Sequence, residues 1–255
     1  MKIIVFGNVP LSGWLIEELF SSKLELLGVV YDDHEIDDFS HHGLAHLPAK
    51  FTCEKLGIKR ISFSEAQEMA LQEPILGISV RYHKLFKKDY FESFTPGIIN
   101  LHGGELPRFR GTNIANHVVL QGVNKAAGTL HFIDEGVDCG DVVLREFFDV
   151  NESSTAFEVF SETMIALQKA TSQLIRILEN GEDIPRVPQS YFIDILDESP
   201  VEYKKRDLND LKEITLEDVE NGTVGRKVRA FTFGNHSGAF FREGECIYSV
   251  SRSCQ

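Results

Sequence analysis

Cysteine is scarce and unpaired in this sequence. It occurs at Cys53, Cys139, Cys246 and Cys254, and no two of these form a Cys-x-x-Cys pair. Structural zinc sites are usually built from such closely spaced pairs, so we predict no zinc site and no other bound metal. Free thiols are typical of a reducing compartment, which favours a cytoplasmic location.

Long apolar runs and positive charge are also lacking. No apolar stretch reaches the roughly 20 residues that cross a bilayer, and the first residues do not have the layout of a signal peptide. The 39 acidic side chains exceed the 26 basic ones, which gives a formal net charge of -13. Because nucleic-acid binding depends on Lys and Arg that neutralise phosphates, we expect no nucleic-acid partner. The lack of a long apolar stretch leads us to expect no membrane partner either.

The apolar runs that are present alternate with helical patterns. Residues 2–7 and 26–31 are typical of buried strands, and residues 11–22 between them have helical spacing. Two more buried strands are predicted at 75–80 and 97–101. Strands that alternate with helices predict an α/β fold with a parallel sheet and crossover helices.

The pattern changes after residue 182. A helix is predicted over 112–121, two neighbouring strands over 129–133 and 141–150, and a long helix that ends near residue 179. Residues 184–188 carry two prolines and are predicted to be a linker. The segment beyond is highly charged and ends in two short strands joined by Glu243 and Gly244, the pattern of a hairpin. We therefore predict a main domain over 1–182 and a small carboxy-terminal α+β extension over 183–255, with a β-hairpin at its end.

Three polar residues stand out against this framework. Asn100 and His102 end a predicted strand, on the same face because side chains alternate along a strand, and Asp138 lies in a glycine-flanked turn. Ligands in open α/β sheets bind at the carboxyl ends of the strands. Taken singly, such a His or Asp is more often a structural hydrogen-bonding residue. Together, an amide donor, a proton acceptor and a carboxylate favour attack by an amine on a carbonyl carbon.

With the segment between them, these residues resemble the 10-formyltetrahydrofolate-dependent formyltransferases. The family pattern is Asn-x-His, Leu-Pro-x-x-Arg-Gly and Asp-x-Gly in that order, matched here at residues 100–102, 106–111 and 138–140. The resemblance covers roughly residues 1–180. It implies a doubly wound, mostly parallel, Rossmann-like sheet, formyl transfer, and 10-formyltetrahydrofolate as cosubstrate. A nicotinamide is not implied, since the first turn lacks the GxGxxG pattern.

The resemblance also implies a role for each residue of the site. Asn100 would donate a hydrogen bond to the oxygen that becomes negative, His102 would take the proton of the attacking amine, and Asp138 would orient His102. The formyl carrier would lie between the segments 79–85 and 132–138. The implied cofactor-binding residues are Arg81, Tyr82, His83, Leu85, Ile133, Asp134, Glu135 and Gly136.

The carboxy-terminal extension narrows the range of amines that could accept the formyl group. Glycinamide ribonucleotide enzymes end near the long helix, and methionyl-tRNA enzymes carry a basic barrel, whereas this extension is short and acidic. The resemblance therefore favours the sugar-nucleotide branch, with a dTDP-linked 3- or 4-amino-dideoxyhexose of lipopolysaccharide O-antigen synthesis as acceptor. Arginines would hold the pyrophosphate, and Tyr191 or Phe192 would stack on the base. The candidate substrate-binding residues are Gly103, Gly104, Glu105, Arg108, Arg110, Gly111, Tyr191 and Arg229.

Several alternatives stay open. Glu105 either contacts a sugar hydroxyl or faces solvent, and Phe192 either stacks on the base or belongs to the core. The acceptor could instead be a hydroxyornithine-like amine, glycinamide ribonucleotide or methionyl-tRNA, and a non-catalytic folate or nucleotide-sugar sensor is an alternative of a different class. The histidines at 34, 41, 42 and 46 favour a polar loop over a metal site. The terminal hairpin is expected to form a homodimer contact.

Overall fold

The computed structural model describes residues 1–32, 44–196, 200–234 and 238–251. The predictions for the histidines at 34, 41 and 42 lie outside these residues. His46 lies within them, and its Nδ1 is 3.3 Å from a carboxylate oxygen of Glu17.

The main part of the chain alternates strands and helices as far as a long helix. Its elements are β1 (Lys2–Phe6), α1 (Pro10–Ser21), β2 (Glu25–Val30), α2 (Ala49–Leu56), α3 (Phe63–Gln72), β3 (Ile75–Ser79), α4 (Lys88–Phe91), β4 (Gly97–His102), β5 (Phe109–Gly111), α5 (Ile114–Gln121), β6 (Lys125–Phe132), β7 (Val142–Asp149) and α6 (Ala156–Glu179).

The remainder of the chain, which we call the tail, contains short elements. These are α7 (Gln189–Leu196), β8 (Val201–Tyr203), α8 (Asp207–Leu211), α9 (Leu216–Glu220), α10 (Val224–Ala230), β9 (Phe240–Glu243) and β10 (Cys246–Ser249). The strands β9 and β10 pair antiparallel, which confirms the predicted hairpin. Gly244 in the turn has a φ of 61°, a left-handed conformation that glycine adopts without strain.

Six strands form the central sheet in the order β2-β1-β3-β4-β6-β7. The strands β2, β1, β3 and β4 are mutually parallel, whereas β6 runs antiparallel to both β4 and β7. The predicted α/β class with a mostly parallel, Rossmann-like sheet is therefore confirmed. Strand β4 lies between the parallel half and the antiparallel half, and its carboxyl end carries His102.

Both faces of the sheet are covered by apolar side chains. On one face Leu101 and Leu130 belong to a core that includes Leu167 and Leu174 of α6. On the other face Phe6 and Ile98 pack against a cluster of aromatic rings from α3, α4 and the segment before α4. Burial on both faces explains why β1, β3 and β4 are nearly continuous apolar runs, and it makes the sheet a rigid base for polar groups at its edge.

The tail packs on the main part of the chain through a third apolar cluster. Val228 and Phe231 of the tail join Phe109 and Val118 in this core. Phe231 is almost completely buried in this cluster. Strand β8 also pairs in parallel with β5. The boundary at residue 182 stays a prediction, because these contacts describe how the two segments pack and not where independent folding would divide them.

Some elements differ from the sequence-based expectation. Helix α3 was not predicted because it buries only Ala66 and Ala70, which do not form a recognisable apolar stripe. Helix α5 begins at Ile114, two residues later than predicted, because Asn113 has a φ of 59° and makes no capping hydrogen bond with its side chain. The predicted linker at 184–188 is also corrected in part, since Val187 exchanges two backbone hydrogen bonds with Val142 of β7, at 2.8 and 3.0 Å.

Across the described ranges, no helix combines the length and the apolar composition needed to cross a bilayer.

Thr155 caps the helix α6, which covers the sheet. Its Oγ1 accepts a hydrogen bond from the backbone N–H of Glu158 at 3.2 Å, and the Glu158 carboxylate accepts one from the backbone N–H of Thr155 at 2.7 Å. We expect Thr155→Ala to lower the free energy of unfolding by about 1 kcal/mol, measured by denaturant titration. Thr155→Ser keeps the hydroxyl and is the control. Equal stability of the Ala variant and the wild type would show that the cap does not stabilise α6.

Candidate active site

The pairing of β4 with β6 brings the polar side chains together. Asn100 lies opposite His131 and His102 lies opposite Thr129 in this antiparallel pair. Side chains directly opposite each other point to the same face, so all four project to one side at the carboxyl end of β4. Nδ2 of Asn100 is 3.2 Å from Nε2 of His131. His102 and His131 are buried, whereas Asn100 is partly exposed.

Asp138 lies between the two histidine rings. Its Oδ2 is 3.3 Å from Nδ1 of His102, and its Oδ1 is 3.3 Å from Nε2 of His131. The backbone N–H of Gly111 donates a third contact to Oδ2 at 2.8 Å. The side chain is 14% exposed, so this carboxylate is held almost entirely by protein groups. The structure thus brings the three predicted catalytic residues into one connected network.

The network keeps Asp138 ionised. Burial acts to raise the pKa of Asp138, but the hydrogen bond from His131, the charges of both imidazoles and the Gly111 N–H outweigh it and hold the pKa well below its usual range. For His102, burial lowers the pKa, and the Asp138 carboxylate opposes this shift. The site therefore combines a stable negative charge with an imidazole whose charged form is disfavoured by burial and favoured by the carboxylate beside it.

The positions of the ring hydrogens follow from the acceptors. Nε2 of His102 is 2.7 Å from the carbonyl oxygen of Phe109, and a carbonyl only accepts, so this nitrogen carries a hydrogen. The lone pair of neutral His102 is then on Nδ1, which faces Asp138. By the same reasoning Nδ1 of His131 donates to the carbonyl of Phe132 at 2.9 Å. Nε2 of His131 can donate to Asp138 only when it also carries a hydrogen. Without that hydrogen, Nε2 accepts from the side-chain amide of Asn100.

The loop after His102 is fixed from below by Thr129. Its Oγ1 donates to the carbonyl of Gly104 at 2.6 Å and accepts from the backbone N–H of Leu106 at 3.3 Å. A Cβ on Gly104 would lie 2.8 Å from Nε2 of His102. The His102 ring therefore fills the space that a side chain at residue 104 would need, and a contact of substrate with Gly104 stays a prediction. Gly103 has more room, and the solvent-facing alternative for Glu105 is wrong, since this residue is only 8% exposed.

The first predicted folate segment follows β3. Arg81 has a φ of 52° and holds its guanidinium 5.3 Å from the ring centre of Phe160. Tyr82 packs against the aromatic core cluster. His83 approaches Asp32, at 3.5 Å, whereas Leu85 is 86% exposed. The predicted folate-binding residues of this segment therefore differ in their surroundings. Tyr82 packs against the core, whereas Leu85 faces solvent.

The second predicted folate segment lies beside the first. Ile133 donates its backbone N–H to the carbonyl of Ile98 at 2.8 Å and packs against the same aromatic cluster as Tyr82. Oδ1 of Asp134 accepts from the N–H of Gly136 at 3.0 Å, and Glu135 forms an ion pair with Lys88. A cavity of about 400 Å³ adjoins the first segment and is lined by Val30, Tyr31, Asp32, Arg60, Ile61, Ser62, Phe63, Tyr82 and Lys84.

The predicted acceptor-binding residues have diverse surroundings. Arg110 gives two guanidinium hydrogen bonds to Gln189, and Arg108 lies over the Phe109 ring, 5.0 Å from its centre. Gly111 supports Asp138, and its Cα lies so close to the backbone of β8 that a Cβ would be 2.1 Å from a carbonyl oxygen there. Arg229 lies on α10, and its Nε is buried without a hydrogen-bond partner among the described residues.

Two aromatic residues were candidates to stack on a base. Tyr191 is 58% exposed on α7 and is available at the surface. Phe192 is partly buried, with the guanidinium of Arg145 3.8 Å from its ring centre. This contact favours packing as the role of Phe192, the alternative left open by the sequence.

Sequence reasoning missed His131, Thr129 and Gln189. Both Thr129 and His131 lie in the strand predicted over 129–133, where residues two apart share a face. This pattern could not give the register with β4, which puts His131 opposite Asn100. Gln189 lies far along the chain, in a segment without any motif. Within the described parts of the chain, no group of three His, Cys, Asp or Glu side chains has the arrangement of a metal site.

Comparison with known proteins identifies the family. The sequence profile described as formyl transferase matches residues 1–174, about two thirds of the chain. The methionyl-tRNA formyltransferase of Clostridioides difficile is 25% identical over 197 residues, which cover 75% of this chain and 63% of that protein. The chain thus spans less than two thirds of the length of this relative.

Solved structures show the same fold. A 4-N formyltransferase from Francisella tularensis superposes with a TM-score of 0.76 at 19% identity, over 100% of this chain and 98% of that one. An N-formyltransferase from Helicobacter canadensis, in complex with folinic acid and dTDP-3-aminofucose, superposes with a TM-score of 0.73 at 18% identity, over 96% and 84% of the two chains. The similarity extends through the tail.

The charge of Asp138 has a consequence for stability. Because the folded-state pKa of Asp138 is depressed, its contribution to the free energy of unfolding is present above the unfolded value of about 3.9 and is lost as the pH falls below it. We expect Asp138→Asn to cost about 1–3 kcal/mol at pH 7 and less below pH 4, measured by denaturant titration. Asp134→Asn is the matched control from the same turn. A cost that does not change with pH would contradict the ionised state of Asp138.

Proposed function

The chain belongs to the formyl transferase family, and we propose that it moves a formyl group from 10-formyltetrahydrofolate to the amine of a nucleotide-linked amino-dideoxy sugar. The observation that carries formyl transfer is the network of Asn100, His102 and Asp138 at the carboxyl end of the central strand. This edge of an open sheet is where substrates bind in α/β folds.

Each residue of the network has a defined task in this proposal. The acceptor nitrogen attacks the formyl carbon, and the amide of Asn100, which is partly exposed, donates a hydrogen bond to the carbonyl oxygen as it gains negative charge. The nitrogen loses a proton, directly or through water, to Nδ1 of His102. The resulting imidazolium pairs with the Asp138 carboxylate, 3.3 Å away. The proton then returns to the folate nitrogen that leaves as its bond to the formyl carbon breaks.

The binding of the formyl carrier is supported by the cavity beside the first predicted folate segment. Tyr31, Phe63 and Tyr82 give it aromatic walls, and Arg60 gives it positive charge, whereas Lys84 forms an ion pair with Asp32 of the same cavity, at 2.8 Å. A folate presents aromatic rings at one end and glutamate carboxylates at the other, so this combination suits its chemistry. We place the carrier between residues 79–85 and 132–138, with Arg81, Tyr82, His83, Leu85 and residues 133–136 as its contacts.

The choice of a sugar nucleotide is supported by the tail. The Francisella and Helicobacter neighbours extend over the tail, and the Helicobacter protein holds a dTDP-linked amino sugar. Methionyl-tRNA is the second candidate acceptor, favoured by the similarity to the Clostridioides enzyme. The net charge of -13 argues against it, because tRNA binding requires positive charge. We further propose a cytoplasmic enzyme of O-antigen synthesis, and a homodimer formed through the exposed Phe241 and Tyr248 of the hairpin.

A panel of acceptors tests the proposal. The full chain is incubated with 10-formyltetrahydrofolate and, separately, with dTDP-, GDP- and UDP-linked amino sugars, methionyl-tRNA, glycinamide ribonucleotide and hydroxyornithine, and products are identified by mass spectrometry. We expect a formylated sugar nucleotide. A formylated tRNA or small amine would overturn the acceptor and retain formyl transfer. If no acceptor yields a product, the proposal of an enzyme is overturned in favour of a non-catalytic binding sensor.

Substitution of the network tests the assigned roles. We expect His102→Asn to abolish turnover, because the lone pair that takes the proton of the amine is lost, and Asn100→Ala to lower kcat by roughly 10²–10³-fold through loss of the oxyanion donor. Rates are measured with the best acceptor of the panel, and circular dichroism controls for folding. A near-normal rate in folded His102→Asn would remove His102 from the role of base.

A further inference from the structure

Gln189 is a buried tail residue whose hydrogen-bonding groups are all engaged. It begins α7, beyond residues 1–174 that match the family profile, and is only 5% exposed. Its Oε1 accepts from Nε and Nη2 of Arg110, at 3.1 and 2.6 Å. Its Nε2 donates to the carbonyls of Asp138 and Gly140, at 2.8 and 2.9 Å. A side-chain amide has two donors and two acceptor sites, so this glutamine is fully satisfied.

Both segments that Gln189 joins hold the Asp138 carboxylate. Arg110 precedes Gly111, whose backbone N–H donates to Oδ2 of Asp138 at 2.8 Å. The loop of Asp138 and Gly140 carries the carboxylate itself. One side chain from the tail therefore cross-links the support of the carboxylate to its own backbone.

The backbone at Asp138 needs such a support. Its φ of 49° is in the left-handed region, which a non-glycine residue occupies at an energetic cost and only when its surroundings hold it there. Gly140 is close to the end of β6, since a Cβ on it would lie 1.9 Å from the carbonyl oxygen of Phe132. The two N–H groups of Gln189 hold the carbonyls on either side of Cys139, which fixes the turn between these points.

The position of Gln189 is itself anchored to the sheet. Val187, two residues earlier, exchanges backbone hydrogen bonds with Val142 of β7. We propose that Gln189 is a positioning residue that aims the Asp138 carboxylate at His102 and His131, and that it acts on the reaction through Asp138. The kinetic part of this inference rests on the proposed formyl transfer.

Two substitutions separate the functions of the amide. Gln189→Glu keeps an oxygen acceptor for Arg110 but removes both donors to the loop, whereas Gln189→Met removes all four hydrogen bonds at a similar volume. If the donors position Asp138, both variants lower kcat by about 10–100-fold, the loss typical when an outer partner of a functional ligand is removed, with little change in KM. Gln67→Met is the control, because Gln67 also donates to a backbone carbonyl, that of Asp89 at 3.2 Å, remote from the network.

A double-variant comparison distinguishes positioning from general destabilisation. In the Asp138→Asn background, Gln189→Met is expected to cause no further loss in a single-turnover assay, because the carboxylate it positions is already gone. A full additional loss in that background, or wild-type kcat in both folded Gln189 variants, would overturn the inference.

A readout without activity keeps the inference separate from the proposed function. The imidazole of His102 is titrated by nitrogen-15 NMR in the full chain, with assignment by His102→Asn. Asp138 raises the pKa of His102, so we expect this pKa to fall in Gln189→Met and to stay unchanged in Gln67→Met. An unchanged His102 pKa in Gln189→Met would overturn the positioning role, even if the wild type formylates no acceptor. Failure of the wild type alone would overturn only the proposed function.

Discussion

The candidate site depends on one largely buried carboxylate held between two imidazoles. Asp138 contacts His102 with one oxygen and His131 with the other, and the backbone of Gly111 completes its shell. Removing a carboxylate from water is costly, and the cost is offset here by the hydrogen bonds that Asp138 accepts from His131 and from the backbone N–H of Gly111. The strands β4, β6 and β5 bring His102, His131 and Gly111, respectively, to this carboxylate.

The network places a stable negative charge beside an imidazole that can take up a proton. Burial disfavours the charged form of His102, whereas the negative charge of the nearby Asp138 carboxylate favours it. When His102 takes up a proton, the imidazolium forms an ion pair with Asp138 without movement of the backbone. The tail contributes to this arrangement through β8 beside β5, and through the hydrogen bonds of Gln189.

Much of the fold followed from the sequence because buried parallel strands leave a clear apolar pattern. Strands β1, β3 and β4 and the end of helix α6 lie where the sequence predicts them. Helix α3 was not predicted, since two alanines form its buried face. In the site, Asn100, His102 and Asp138 were predicted from their motifs. His131 required the register of two strands, and Gln189 required the path of the tail, and neither is encoded in local spacing.

The most direct test of this account is the tautomer of His102 in the neutral state, measured by nitrogen-15 chemical shifts of the imidazole. The account predicts a hydrogen on Nε2, donated to the Phe109 carbonyl, and a lone pair on Nδ1 that faces Asp138. A hydrogen on Nδ1 with a free lone pair on Nε2 would contradict it, because the proton of the acceptor amine would then be taken on the side of the ring away from Asp138.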